Sequence, residues 1–276
     1  MSGIQSPNSS KQLIAENKIS AIYLLSILLL VVTAIISILG LVWTGNIYPT
    51  LELAETFKTN DLVYLITCVP GLLVSIWLAK RNKLIGLLYW LGALLAIIYN
   101  YLVYLFSFSP GIFSLIYFLI IGLSLYILIS LITKMERTTI SSLLNGKIKE
   151  RLSGGTLCVF GLAFLFRAIN ILINGLITGD QLPVTEIALN LSDLVLSITW
   201  IIFGWLLWIK KPLGYTLGLG LLFQAFILFI GLLVFLVVQP ILIGAHFSVI
   251  DFVVVLVMTL ISSIPFILFS RAVYRI

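Results

Sequence analysis

The sequence predicts an all-α membrane protein of eight transmembrane helices, arranged as two parallel four-helix repeats. Three observations predict it: the composition, the lengths of the apolar runs, and the placement of Lys and Arg. Of 276 residues, 61% are hydrophobic and 9% charged, with a mean hydropathy of +1.22. Soluble domains carry about 25% charged residues, so a soluble fold could not keep this much apolar surface from water. In lipid every backbone N–H and C=O needs an internal partner, which leaves helices or a closed barrel. The apolar runs lack the alternation of barrel strands and are long enough for helices of roughly 20 residues.

Residues 1–18 are polar and read as a flexible cytoplasmic tail. The run from Ile19 to Trp43 is too long for a signal-peptide core and lacks a clean cleavage site, so it reads as a retained first span. Further spans are expected at 61–79, 84–107, 111–133, 155–178, 187–208, 213–238 and 247–270. Pro110 and Pro212 stand at the starts of spans four and seven, where a missing N–H costs little. Pro70 and Pro265 fall inside spans two and eight. The halves are thus 19–133 and 155–276, joined by a cytoplasmic connector at 134–154 whose middle has the spacing of a short surface-lying helix, or is a plain basic connector.

Charge orients the bundle. With the N-terminus inside, fourteen of the sixteen Lys and Arg fall in cytoplasmic segments and only Lys58 outside, while Arg167 lies within a span. The positive-inside rule then places both termini in the cytoplasm and the protein in the cell membrane. The net charge of +6 is dispersed beside apolar runs as topogenic signal, not gathered for nucleic acid.

An internal match underlies the two repeats. Asp61-Leu-Val-Tyr-Leu-Ile-Thr67 agrees with Asp193-Leu-Val-Leu-Ser-Ile-Thr199 at five of seven positions. Further on, Trp77-Leu-Ala-Lys-Arg-Asn-Lys-Leu-Ile-Gly86 resembles Trp208-Ile-Lys-Lys-Pro-Leu-Gly214 with a small gap. Two such halves in the same orientation form a parallel repeat about an axis along the membrane normal.

Ionisable groups within spans are expensive and carry a functional hypothesis. At 1.5 Å per residue, Arg167 lies roughly 24 Å from the cytoplasmic edge and Asp193 roughly 25 Å, so an ion pair is expected between consecutive helices. Asn170 and Asn174 continue the face of Arg167, and Asn100 reaches about the same level. Asp61, Gln224 and Asp251 are accessory candidates; Asp61 and Asp251 read equally as solvated residues at span ends. The cluster predicts an outward-facing polar site that binds or transports a small polar or amphiphilic ligand, with Arg167 as cationic anchor. The alternatives are a non-catalytic assembly or regulatory subunit, in which the pair only registers two helices, and a membrane-embedded enzyme acting on lipids.

No catalytic residues, cofactor or metal ligands are assigned. The chain holds no lysine within a span, no His-Glu-x-x-His, no Gly-x-Ser-x-Gly and no phosphate loop. Cys68 and Cys158 fall near opposite faces and read as packing residues; His246, the one histidine, reads as interfacial. The inner half lacks the polar lining of a conducting path, which argues against a simple ion channel. The partners expected are the bilayer and the ligand; ligand identity, coupling ion and oligomeric state stay open. The Asp-headed spans, the Trp-then-basic turns and Asn100-Tyr101 resemble a group of uncharacterised prokaryotic multi-pass membrane proteins. That resemblance covers spans two, three, six and seven and implies prokaryotic origin only.

Overall fold

A computed structural model describes residues 20–179 and 181–275; the expected tail at 1–18 lies outside the described residues. Ten helices follow in order: α1 (Ser20–Val42), α2 (Thr44–Ile47), α3 (Leu51–Lys80), α4 (Leu84–Ser107), α5 (Ile112–Lys134), α6 (Arg137–Leu144), α7 (Glu150–Thr178), α8 (Val184–Trp208), α9 (Pro212–Ile243) and α10 (Val249–Tyr274). Eight of these are long and apolar enough to cross a membrane, and the chain is a multi-pass membrane protein. Successive spans alternate in direction. One end of the bundle carries the basic turns after α3, α5 and α8, and is called the basic face below; the other is the far face.

Several helices run past the expected spans. α3 begins at Leu51 instead of residue 61, because Leu51-Glu-Leu-Ala-Glu-Thr is rich in good helix formers. Thr50 caps it, its side chain accepting from the Leu53 N–H at 3.3 Å. Leu53 and Phe57, one turn apart, are buried. Hydropathy locates the apolar stretch, whereas the helix ends where its caps lie. α7 likewise starts at Glu150 and not 155, which shortens the expected connector at 134–154. Within that connector α6 forms and buries Ile140 and Leu144, packing against the basic end of α9. The Tyr215 hydroxyl of α9 donates to Glu150 Oε1 at 2.8 Å and so ties α7 to the same place.

At the centre α4 crosses α9, and α4 is buried along most of its length. The crossing is close because Gly92 and Gly220 face each other: a Cβ on Gly92 would overlap the Gly220 carbonyl. Packing in membranes depends on such small-residue contacts, since lipid supplies no hydrophobic drive between helices. The contacts pair off when the halves are exchanged. α1 packs on α3 as α7 does on α8, α3 on α4 as α8 on α9, α4 on α5 as α9 on α10, and α1 on α5 as α7 on α10. Across the halves, α3 with α9 matches α8 with α4, and the α4–α9 contact is its own counterpart.

The basic turns after α3 and α8 match bond for bond. Asn82 and Lys210 both take left-handed backbone, at φ 55° and 60°. In the first turn Asn82 N–H donates to Ala79 O and Lys83 N–H to Leu78 O, at 3.0 and 3.2 Å. In the second Lys210 N–H donates to Leu207 O and Lys211 N–H to Leu206 O, at 3.0 and 2.8 Å. This register sets Trp77-Leu-Ala-Lys-Arg-Asn-Lys-Leu-Ile-Gly86 on Trp205-Leu-Leu-Trp-Ile-Lys-Lys-Pro-Leu-Gly214 without a gap, so Trp77 corresponds to Trp205 and not to Trp208. It also separates the aspartates. Asp61 lies 21 residues before Asn82 and Asp193 lies 17 before Lys210, a difference of one helical turn. The expected equivalence of Asp61 and Asp193 does not hold.

Candidate functional site

Asp193 sits in the third turn from the far end of α8 and is 1% exposed. Two side chains reach it. Arg167 Nη1 of α7 donates to Oδ2 at 3.0 Å, the ion pair expected from helical rise. The Tyr99 hydroxyl of α4 donates to Oδ1 at 2.8 Å. One guanidinium and one phenol thus give both carboxyl oxygens a donor. The cationic partner is not buried: the Arg167 side chain is 47% exposed, so part of the guanidinium remains free.

Beyond Arg167 the helix is amphipathic in an unusual way. Its exposed arc has two edges under the 3.6-residue period. Leu162, Phe166, Ile169 and Ile173 form one, and Arg167, Asn170 and Asn174 the other; all seven are exposed. Asn174 Nδ2 donates to Asn170 Oδ1 at 3.3 Å, and the Thr178 hydroxyl donates to the Asn174 carbonyl at 2.9 Å, continuing the polar stripe to the far end.

The far end of this half is loosely packed. Beyond Gly161 the only buried residue of α7 is Ala168; those of α9 stop at Gly231; those of α10 begin at Val255. A small cleft of about 30 Å³ lies between α4 and α8, lined in part by Tyr99, Leu102, Ser192, Val195 and Thr199. A space of this size is far too small for a solute.

The other expected residues divide. Asn100 does not join Arg167: its Oδ1 accepts from Asn60 Nδ2 of α3 at 3.0 Å. Successive residues of a helix point about 100° apart, which turns Tyr99 toward α8 and Asn100 toward α3. Asp61 is not a solvated span end. It is the eleventh residue of α3 and 1% exposed, because that helix starts early. Gln224 is a packing wedge, accepting from Trp200 Nε1 at 3.2 Å and donating to the Leu95 carbonyl at 3.0 Å. Asp251 is exposed in the first turn of α10, where Ser248 Oγ accepts from its N–H at 3.3 Å; it serves the helix end.

Sequence reasoning missed the tyrosines. Tyr48 and Tyr104 both donate to Asp61, Tyr104 at 2.9 Å, and the Tyr104 oxygen accepts from Asn60 Nδ2 at 3.1 Å. The Tyr64, Tyr101 and Tyr117 rings surround them. Burial, with the Asp61 carboxyl beside it, pushes the Tyr48 phenol well above its ordinary range, so it remains a donor. A signal was present, since Tyr instead of Phe at several buried positions asks for partners. A second miss joins the halves: Glu52 Oε1 of α3 accepts from the Thr185 N–H and hydroxyl at 2.8 and 2.7 Å, capping α8.

Among the described residues no group of three His, Cys, Asp or Glu could hold a metal. No protein-family model, curated protein or solved structure matches the chain, so function has to be argued from these residues alone.

Proposed function

We propose that the protein binds, and in a transport cycle moves, an amphiphile with an anionic or zwitterionic head group, taken at the far face with Arg167 as the anchor. The observation that carries this is the asymmetry of the ion pair, in which Asp193 is wholly buried and Arg167 is half exposed. Asp193, itself held by Tyr99, fixes the guanidinium in place, and its free donors meet a head group whose other contacts are Asn170 and Asn174. Sites for soluble small molecules are cavities of roughly 300–1,000 Å³. The cleft between α4 and α8 is about 30 Å³, well short of that. An amphiphile needs no such enclosure, because lipid solvates its tail along the apolar edge of α7. On this reading the basic face is cytoplasmic, both termini lie there, and the membrane is the cell membrane, as the positive-inside rule requires. Reporter fusions after residues 82, 145 and 211 then report cytoplasm, and those after 48, 182 and 243 the outside.

The matched contacts and turns support an origin of the two halves by duplication, after which one helical turn separated the two aspartates. A superposition of the halves with α4 on α9 and Asn82 on Lys210 tests this; helices that match only after inversion would end it.

The competing reading is a non-catalytic assembly subunit, favoured by the exposed apolar residues on the far halves of α7 and α10. Thermal stabilisation separates the two. A short-chain alkyl phosphate should raise the melting temperature of the wild type more than a neutral alkyl glycoside of equal chain length. An Arg167→Leu, Asp193→Leu double variant, which leaves no unpaired charge, should fold and lose that difference. Equal stabilisation of both proteins sinks the binding site and leaves the assembly reading.

A further inference from the structure

The first half contains a second polar centre, and its chemistry differs from that of Arg167. Asp61 is buried ten residues into α3. The groups that face it come from every neighbouring element. α1 supplies the Ser37 hydroxyl and the bare backbone of Gly40, the segment after α2 supplies Tyr48, α4 supplies Tyr101 and Tyr104, α5 supplies Tyr117, and α3 itself supplies Asn60 and Tyr64. All of these are neutral, and among the described residues the one salt bridge is at Asp193. A carboxylate buried without a cation is far more costly than a neutral carboxylic acid in the same place, and the group takes a proton instead, with one of the two tyrosine oxygens turning from donor to acceptor for the new O–H.

We propose that Asp61 is a proton-binding site, a carboxyl that holds its proton while the tyrosine box is closed and exchanges it with water at the far face when the Tyr48 segment lifts. Its position is prepared by packing: a Cβ on Gly40 would overlap the carboxyl and the Tyr48 hydroxyl, so α1 leaves the room that the acid occupies. A second observation is independent of the carboxyl. The Tyr64 and Tyr117 hydroxyls are buried in the same box without a hydrogen-bond partner. Buried orphans of this kind call for water, and water is what delivers and removes the proton. Toward the far face the box is bounded by the Tyr48 segment, in which Ile47 and Tyr48 are both buried and Tyr48 packs on Phe57 and Phe108. The proton comes from water and returns to it, and no other group changes. The proposal does not depend on the amphiphile at Arg167.

Infrared difference spectroscopy of the full chain in lipid nanodiscs at neutral pH tests it. The wild type should show the C=O stretch of a protonated carboxyl, and that band should shift on exchange into D₂O. Asp61→Asn should abolish it, and Asp193→Asn, at an ion-paired group, should leave it in place. Tyr48→Phe removes one hydrogen bond from the acid and should move the band to higher frequency. Absence of the band in the wild type, its persistence in Asp61→Asn, its loss in Asp193→Asn, or its failure to exchange would each overturn the proposal. If Asp61→Asn does not fold, an unmoved band in Tyr48→Phe overturns it equally.

Discussion

The two halves share a helix order and a set of contacts, yet their far ends differ. In the first, buried residues reach Leu53 of α3 and Ser107 of α4 toward the far end, and Ile47 and Tyr48 pack beside an aspartate bonded only by hydroxyls. In the second, the far ends of α7, α9 and α10 carry almost no buried residues, and the aspartate is held by a half-exposed arginine. One turn of helix separates the two acids in register. The difference shows how the same order of helices can enclose one acid among hydroxyls and leave the other beside an exposed cation. The choice rests on what the outermost helix of each half presents, small residues such as Ser37 and Gly40 in α1 and a long cation in α7.

The largest effect should come from breaking the open centre. Arg167→Ala leaves Asp193 buried and unpaired, and is expected to cost about 3–5 kcal/mol. The Arg167→Leu, Asp193→Leu double variant should recover most of that loss, since it leaves no buried charge without a partner. Melting curves of the three proteins in one detergent check this; a single variant as stable as the wild type would mean that Asp193 is reached by water.

The closed centre should respond to volume instead of charge. Gly40→Ala is expected to cost about 1–3 kcal/mol by overpacking against Asp61 and Tyr48. Combining it with Asp61→Ala should restore part of the loss. An additive double variant would place the strain elsewhere.

The contact between the halves is next in size. Glu52→Ala removes the cap of α8 and is expected to cost about 1 kcal/mol. Denaturation monitored by tryptophan fluorescence gives the magnitude, and Glu52→Gln, which keeps an acceptor, should lose less. The smallest effect belongs to Asp251→Ala, an exposed helix-end residue, at about 0.5 kcal/mol or less by the same measurement. A loss comparable with that of Arg167→Ala would move Asp251 into the site.

Much of this was legible before any coordinates. The eight spans follow from run length, and the Arg167–Asp193 pair from counting rise along two antiparallel helices. Those inferences are local and need only periodicity and depth. The early start of α3 was not legible from hydropathy, because Glu52, Glu55 and Lys58 read as the edge of a span while favouring helix. With α3 begun at residue 61, Asp61 looked solvated; begun at Leu51, it is enclosed.

Composition, run length and charge placement by themselves determined that the chain is a helical membrane protein of eight spans with one cation at depth. Tertiary structure alone decided which polar groups meet. Asn100 faces Asn60 while its neighbour Tyr99 faces Asp193, because adjacent residues of a helix diverge by about 100° and only the packing of α4 between α3 and α8 says what stands on each side. Tyr48, Tyr101, Tyr104 and Tyr117 come from three separate segments, and no spacing along the chain brings them together around Asp61. Depth is a property of one helix, and contact a property of several.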